Sequence, residues 1–184
     1  MFRNLCALAV FLVAPALHAA PPDDASWQAK VEHALPLLGH RNWILIVDSA
    51  YPLETAPGIE TVDTNAALPG VLRFVLGAID NSPHIRPDIY MDLELPFVSD
   101  DDAPGASQYR ANIADLLRGV PVRSQPHDKI LSTIDDAGKT FQVLVLKTNM
   151  TIPYTSVFIS LNCKYWSDDA EARMRAKMAA APRK

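Results

Sequence analysis

The sequence contains only two cysteines, Cys6 and Cys163, and only seven glycines among its 184 residues. Cys6 lies in an apolar stretch at the start of the chain, so the remainder holds one thiol and no internal disulfide. The sequence has no glycine-rich phosphate loop and no Gly-x-Ser-x-Gly motif, which argues against nucleotide-binding and serine-hydrolase sites of those kinds. Charges of both signs are spread along the chain, and the net charge is −4. No basic stripe is therefore available for nucleic acid or anionic lipid, and a small molecule is the expected partner.

The first twenty residues have the pattern of a secretory leader. Arg3 provides a positive start, residues 5–17 are almost wholly apolar, and small residues lead up to Ala19 and Ala20. We expect cleavage after one of these two alanines and export, to the periplasm. A retained membrane anchor is the alternative, although the apolar stretch is short for a span and contains Pro15. No later segment is long and apolar enough to span a membrane.

Residues 21–184 have the length of one domain, and we expect a single domain that ends in a polar, alanine-rich helix. Cys163 follows an apolar run, which favours a buried, inert thiol over a nucleophile.

Helical and strand patterns alternate along the chain, which predicts an α/β fold. Ser26 is the expected N-cap of the first helix, and Gly39 is its expected end. Helices are predicted at residues 27–38, 69–79, 107–118 and 125–139, and strands at residues 41–48, 88–94, 141–148 and 155–162.

Asp48 ends the apolar run of the first predicted strand. Ligands of open α/β sheets gather at the carboxyl ends of strands, where a carboxylate can accept hydrogen bonds from two neighbouring hydroxyls of a sugar. The alternative is that Asp48 only caps the following loop at residues 49–52. The spacing alone favours neither interpretation.

Two histidines are placed at predicted helix ends. His40 follows the end of the first helix, where the helix dipole favours the charged imidazolium, so it is either a proton donor or only a stabilising residue. His127 opens a later helix, where the dipole favours the neutral ring; the alternative is a residue of the exposed first turn. If both histidines share a pocket, one suits an acid role and the other a base or acceptor role.

Four segments of the chain, in order, resemble motifs of the D-ribose pyranase and L-fucose mutarotase family (the RbsD/FucU family). They extend from about residue 38 to residue 161, roughly two thirds of the chain. They are Leu38-Gly39-His40 with Asp48 and Tyr51-Pro52, then Pro126-His127-Asp128, the strand at residues 141–148, and the segment at residues 153–159.

The resemblance implies a three-layer α/β/α fold with a central mixed sheet and an activity that interconverts cyclic sugar forms by opening the ring. It assigns the catalytic acid to His40 and sugar binding to Asp48, His127, Tyr154 and Ser156. Ser156 stands where the family has asparagine, which removes an amide that could both donate and accept. The resemblance further implies that no metal or organic cofactor is needed. It also implies a ring-like homo-oligomer in which a neighbouring subunit can complete the site.

Two other functions fit the same residues. A non-catalytic exported protein that binds a carbohydrate or assists sugar uptake would use Asp48 and Tyr154 in the same way. A metal-dependent hydrolase could use His84, Asp92, Glu94 and the acidic run at residues 100–102, although these residues show no repeated ligand spacing.

Overall fold

The computed structural model of the protein describes residues 26–181, so the predicted leader lies outside the described residues. The helices are α1 Trp27–Ala34, α2 Leu68–Asn81, α3 Ala106–Leu116, α4 His127–Gly138 and α5 Asp168–Ala180, with a 3-10 turn at Leu95–Phe97. The strands are β1 Trp43–Val47, β2 Ile59–Asp63, β3 Ile85–Asp92, β4 Val122–Gln125, β5 Val143–Lys147 and β6 Val157–Cys163.

The six strands form one mixed sheet in the order β2-β5-β1-β6-β3-β4. β1 pairs in parallel with β5, β5 with β2, and β3 with β4, whereas β6 runs antiparallel to both of its neighbours, β1 and β3. Five strands therefore end at the same side of the sheet, which we call the carboxyl edge, and β6 begins there. The opposite side is called the amino edge.

Helices cover both faces of the sheet. On one face, apolar residues of α1, α2 and α3 pack against alternate residues of the strands, such as Ile44 and Ile159. On the other face, Ile130 and Ile134 of α4 pack against the strand residues that point the other way, such as Leu45. All five residues of β1 are buried because it lies between two layers of helices. The predicted three-layer α/β/α fold with a mixed sheet is confirmed.

The first helix is shorter than predicted, and this changes the setting of His40. α1 is capped by the Ser26 side chain, as expected, but ends at Ala34 with Leu35 as its C-cap. Pro36 follows and has no N–H to continue the helical hydrogen bonds. His40 lies in a separate turn, which is closed by the Asn42 N–H donating to the Gly39 carbonyl at 3.0 Å. The prediction that His40 sits at a helix C-terminus is therefore wrong.

Two strands were not predicted from the sequence. β2 and β4 are the edge strands of the sheet, and all four residues of β4 are at least partly exposed. Edge strands lack the continuous apolar run or regular alternation by which central strands are recognised. The other elements are shifted from their predicted bounds by a few residues: β3, for example, ends at Asp92, so that Glu94 lies beyond it.

The C-terminal part of the described chain packs loosely. α5 has no buried residue, in keeping with its polar composition. Cys163, at the end of β6, is only partly buried, so the expectation of a buried thiol is wrong. No helix within residues 26–181 combines the length and the apolar character needed to cross a membrane.

Gly58 is the point at which β2 approaches the end of α4. Its N–H donates to the Gly138 carbonyl at 3.2 Å, and its own carbonyl accepts from the Val143 N–H at 2.8 Å. A Cβ at this position would collide with the backbone carbonyl oxygens of Gly138 and Phe141. Backbone atoms held by hydrogen bonds cannot move aside as a flexible side chain can, so only glycine fits here.

We predict that Gly58→Ala lowers the free energy of unfolding by about 1–3 kcal/mol, the usual effect of overpacking. Gly77→Ala is the matched control, because Gly77 lies inside α2 and an added Cβ would meet no atom within 4 Å. Alanine has the higher helix propensity, so the control should raise stability by about 0.5–1 kcal/mol. Urea unfolding followed by circular dichroism measures both. Equal effects of the two substitutions would contradict the close approach at Gly58.

Candidate functional site

The carboxyl edge of the sheet collects polar residues from distant parts of the chain. Asp48 follows β1, Asp92 ends β3, and His127 opens α4 directly after β4. A pocket of about 510 Å³ opens at this edge. It is lined by Asp48, Ser49, Ala50, Tyr51, Pro52, His127, Leu131, Thr151, Ile152, Pro153 and Tyr154.

Asp48 both caps a loop and lines the pocket. Its Oδ1 accepts from the Ala50 N–H at 2.8 Å, which is the loop-capping arrangement considered above. Its Oδ2 accepts from the Ser156 hydroxyl at 3.2 Å, although the two residues are 108 positions apart in the chain. A carboxylate has about four lone-pair positions. Asp48 therefore keeps acceptor capacity for hydroxyl groups of a ligand after both of these hydrogen bonds are made.

Ser156 lies behind Asp48 and does not line the pocket. It is 1% exposed, and its Oγ also accepts from the Asp48 N–H at 3.4 Å. The hydroxyl thus contacts both the backbone and the carboxylate of Asp48. In this position Ser156 orients Asp48, whereas the sequence resemblance implies a direct contact with the sugar.

His127 is held at both its backbone and its ring. Its N–H, the first of α4, donates to the Glu94 carboxylate at 3.0 and 3.2 Å. Its ring Nδ1 lies 3.1 Å from Asp92 Oδ1. The His127 side chain is 31% exposed, whereas that of Asp92 is fully buried at 0%. The ring is therefore fixed from behind and remains accessible from the pocket.

Tyr154 has an unusual backbone conformation that places its ring beside His127. Its φ is +59°, in the left-handed region that bulky residues rarely adopt. The next residue, Thr155, is anchored on both sides: its hydroxyl donates to the Ile152 carbonyl at 2.7 Å, and its own carbonyl accepts from the Tyr109 hydroxyl. The Tyr154 and His127 rings meet edge to face with centroids 5.4 Å apart. Tyr154 is 38% exposed, which leaves it accessible to a ligand.

The loop after β1 forms one wall of the pocket and is held in place by a lysine. Lys147, at the end of β5, donates from Nζ to the Tyr51 carbonyl at 2.8 Å. The Tyr51 hydroxyl donates to Glu54 at 2.6 Å. Burial, together with this hydrogen bond, raises the pKa of Tyr51 far above its usual value. Tyr51 therefore remains a protonated donor, and the wall keeps its shape.

His40 lies at the amino edge, on the opposite side of the sheet. It is exposed in the turn before β1, whereas Asp48 follows the last residue of that strand. Five strand residues separate the two ends by roughly 15 Å at about 3.3 Å per residue. A single copy of the chain therefore brings together Asp48, His127 and Tyr154, but not His40.

The residues considered for a metal site are dispersed. His84 precedes β3 at the amino edge, where its ring nitrogens lie 2.9 Å from the Ser82 hydroxyl and 2.9 Å from the Leu38 carbonyl. Asp100 caps the start of α3 by accepting from the N–H groups of Gly105 and Ser107. Among residues 26–181, no three histidine, cysteine or acidic side chains converge into a metal-ligand group. Grouping these residues as one site was wrong.

Asp92 and Glu94 have another role, which the sequence reasoning missed. Both contact His127, one at the ring and the other at the backbone. A signal was present: Asp92 directly follows the apolar residues 89–91, as Asp48 follows a longer apolar run, and parallel strands end at the same edge of a sheet. The pairing with His127 was not visible, because it depends on β4 lying beside β3.

The structure is similar to that of RbsD from Bacillus subtilis complexed with D-ribose, with a TM-score of 0.53 and 12% sequence identity over 73% of this chain and 92% of that one. It is also similar to FucU from Bifidobacterium longum, with a TM-score of 0.50 and 15% identity over 77% of this chain and 93% of that one. No protein-family model matches the sequence, and no curated protein matches it. At such low identities these likenesses show the fold, which is RbsD/FucU-like.

We predict that Glu94→Ala lowers the free energy of unfolding by about 0.5–2 kcal/mol. The substitution removes a charged acceptor from the first N–H of α4, which is equivalent to the loss of a helix cap. Glu32→Ala, at an exposed position of α1, is the matched control and should have an effect within about 0.5 kcal/mol. Chemical denaturation measures both. If Glu94→Ala proves as mild as the control, the contact with His127 does not stabilise α4.

Proposed function

We propose that the protein binds a free monosaccharide at the carboxyl edge and accelerates the interconversion of its cyclic forms. The observation that carries this proposal is the convergence of Asp48, His127 and Tyr154 on one pocket, although they come from three separate segments of the chain. The RbsD-like fold supports it, since the Bacillus subtilis neighbour is described in complex with D-ribose.

The pocket suits a small polyhydroxylated ligand. Its volume of about 510 Å³ lies within the range of roughly 300–1,000 Å³ that is usual for small-molecule sites. Asp48 offers carboxylate oxygens to neighbouring hydroxyls, and Tyr154 offers an aromatic face and a hydroxyl. Apolar walls from residues such as Pro52 and Ile152 fit the C–H surfaces of a sugar ring.

Opening a sugar ring requires two proton transfers. A base takes the proton of the anomeric hydroxyl while the bond between the anomeric carbon and the ring oxygen breaks. The electron pair of the breaking bond goes to the ring oxygen, which takes a proton from an acid. Closure on the other face, or through another hydroxyl, completes the exchange. Acid and base groups contribute roughly 100- to 10,000-fold to such reactions.

His127 is available as the base within one chain, and we assign the acid to His40 of a second copy. His40 is exposed at the amino edge, so it is accessible to another subunit. In a head-to-tail ring, the amino edge of one subunit can face the carboxyl edge of the next. This arrangement agrees with the ring-like homo-oligomer that the sequence resemblance implies.

The position of His40 also favours a second candidate function. A single chain, in which His40 lies far from Asp48 and His127, still has a pocket that can bind a sugar. An exported carbohydrate-binding accessory protein is therefore the alternative, and only turnover distinguishes it from an enzyme. Both functions agree with the proposed export by a cleaved leader.

We predict that the protein broadens the anomer resonances of at least one aldose in exchange NMR without added metal. Asp48→Asn should weaken binding of that aldose about 10- to 100-fold, the effect of losing a charge-assisted acceptor. Asp63→Asn is the matched control: Asp63 also ends a strand at the carboxyl edge and accepts from a backbone N–H two residues later, but does not line the pocket. Binding without broadening across a panel of aldoses would support the accessory function instead.

We also predict that His40→Ala abolishes most of the exchange and leaves sugar binding largely intact. Mixing the His40→Ala and Asp48→Ala proteins under conditions that exchange subunits should raise activity above that of either variant, measured at a sugar concentration too low for the Asp48→Ala site to bind it well. In a one-to-one mixture about one site in four combines an intact His40 with an intact Asp48, if the site is shared between subunits.

Each variant incubated alone under the same conditions is the control for recovery. No recovery in the mixture, with mixed oligomers demonstrated by native mass spectrometry, would contradict a site shared between copies. Near-normal exchange in His40→Ala would remove His40 from the mechanism.

A further inference from the structure

Asp92 is the most deeply buried charged side chain at the carboxyl edge. It is the last residue of β3. Its Oδ1 lies 3.1 Å from His127 Nδ1. Its Oδ2 is buried and has no hydrogen-bond partner within residues 26–181. The carboxyl group therefore depends on His127 for its one hydrogen bond among these residues.

The contact between these two groups requires a proton between them. A carboxylate only accepts hydrogen bonds, so an ionised Asp92 needs the proton on Nδ1 of His127. The start of α4 favours negative charge and a neutral imidazole nearby. The competing state has the proton on the carboxyl group, and burial favours it because it raises the pKa of Asp92. In that state Nδ1 accepts, and Nε2 carries the ring proton.

We propose that Asp92 is a positioning residue that holds His127 as the tautomer protonated on Nδ1, so that unprotonated Nε2 is available to the pocket. Nδ1 is occupied by the buried carboxylate, and Nε2 is the only other ring nitrogen. The surrounding contacts support a fixed ring: Glu94 accepts from the backbone N–H of His127, and the Tyr154 ring packs edge to face with the imidazole.

This inference rests on the proposed function for its catalytic consequence. In the Nδ1-protonated tautomer, Nε2 can take the proton of the anomeric hydroxyl. The imidazolium that forms then faces an ionised carboxylate at 3.1 Å, which stabilises the charge as it develops. In the opposite tautomer, Nε2 can only donate, and His127 cannot act as the base.

The tautomer can be measured without any assay of activity. Protein labelled with ¹⁵N at histidine gives long-range ¹H–¹⁵N correlations that distinguish the two neutral tautomers. The His127 signals are assigned by their absence in His127→Gln. At a pH where the ring is neutral, the wild-type protein should show His127 protonated on Nδ1. Asp92→Asn should lose this preference, because an amide can present either an acceptor or a donor to Nδ1.

The kinetic test distinguishes a role of Asp92 in positioning His127 from a role in stabilising the fold. Asp92→Asn should lower sugar exchange about 100-fold or more, while the dissociation constant of the sugar changes by less than about threefold. Asp88→Asn is the matched control. Asp88 lies on the same strand and contacts Arg86 and Asn162, away from the pocket, so it should leave both quantities and the His127 tautomer unchanged.

Several results would overturn the assignment. A wild-type ring protonated on Nε2 would place the proton on Asp92 and contradict it directly, even if Asp92→Asn failed to fold. An unchanged tautomer or unchanged exchange in a folded Asp92→Asn protein would also contradict it. If the wild-type protein binds a sugar but does not accelerate the interconversion of its cyclic forms, the proposed enzymatic function fails. The tautomer measurement still decides the role of Asp92.

Discussion

The site depends on the direction of one strand. β6 runs antiparallel between β1 and β3, which are parallel to each other and to the rest of the sheet. Because it is reversed, its first residues lie at the edge where the other strands end. Tyr154 and Ser156 thereby reach Asp48 and His127. A parallel strand in the same place would have brought its last residues, Asn162 and Cys163, to this edge instead.

This edge concentrates negative charge around one histidine. Asp48, Asp92 and Glu94 lie close enough that the charges of Asp48 and Glu94 add to burial in raising the pKa of Asp92, while His127 acts in the opposite direction. Two devices offset the repulsion: Glu94 accepts from the first N–H of α4, and Asp48 accepts from the Ala50 N–H and the Ser156 hydroxyl. Glu94 and Asp48 are thus each held by their own donors, and of the three carboxylates it is Asp48 that lines the pocket.

The two histidines show which positions a local sequence pattern predicts correctly and which it does not. His127 was predicted at the start of a helix and lies there, because a proline just before it and a periodic apolar face after it are local signals. His40 was predicted at the end of a helix, but Pro36 ends α1 early and leaves His40 in a turn. The chain then passes through β1 before it reaches Asp48. The two residues are therefore close in sequence but far apart within one copy, because the strand between them is extended.

The sequence by itself determined the fold class, the central strands and the placement of Asp48 at a strand end, because these depend on local periodicity and on continuous apolar runs. It did not reveal the edge strands β2 and β4, which are short, partly exposed and paired on one side only, with β5 and β3. The pairing of Asp92 with His127 likewise came only from the tertiary structure. It requires β3 and β4 to lie side by side in one register, a long-range contact that leaves no local pattern in the chain.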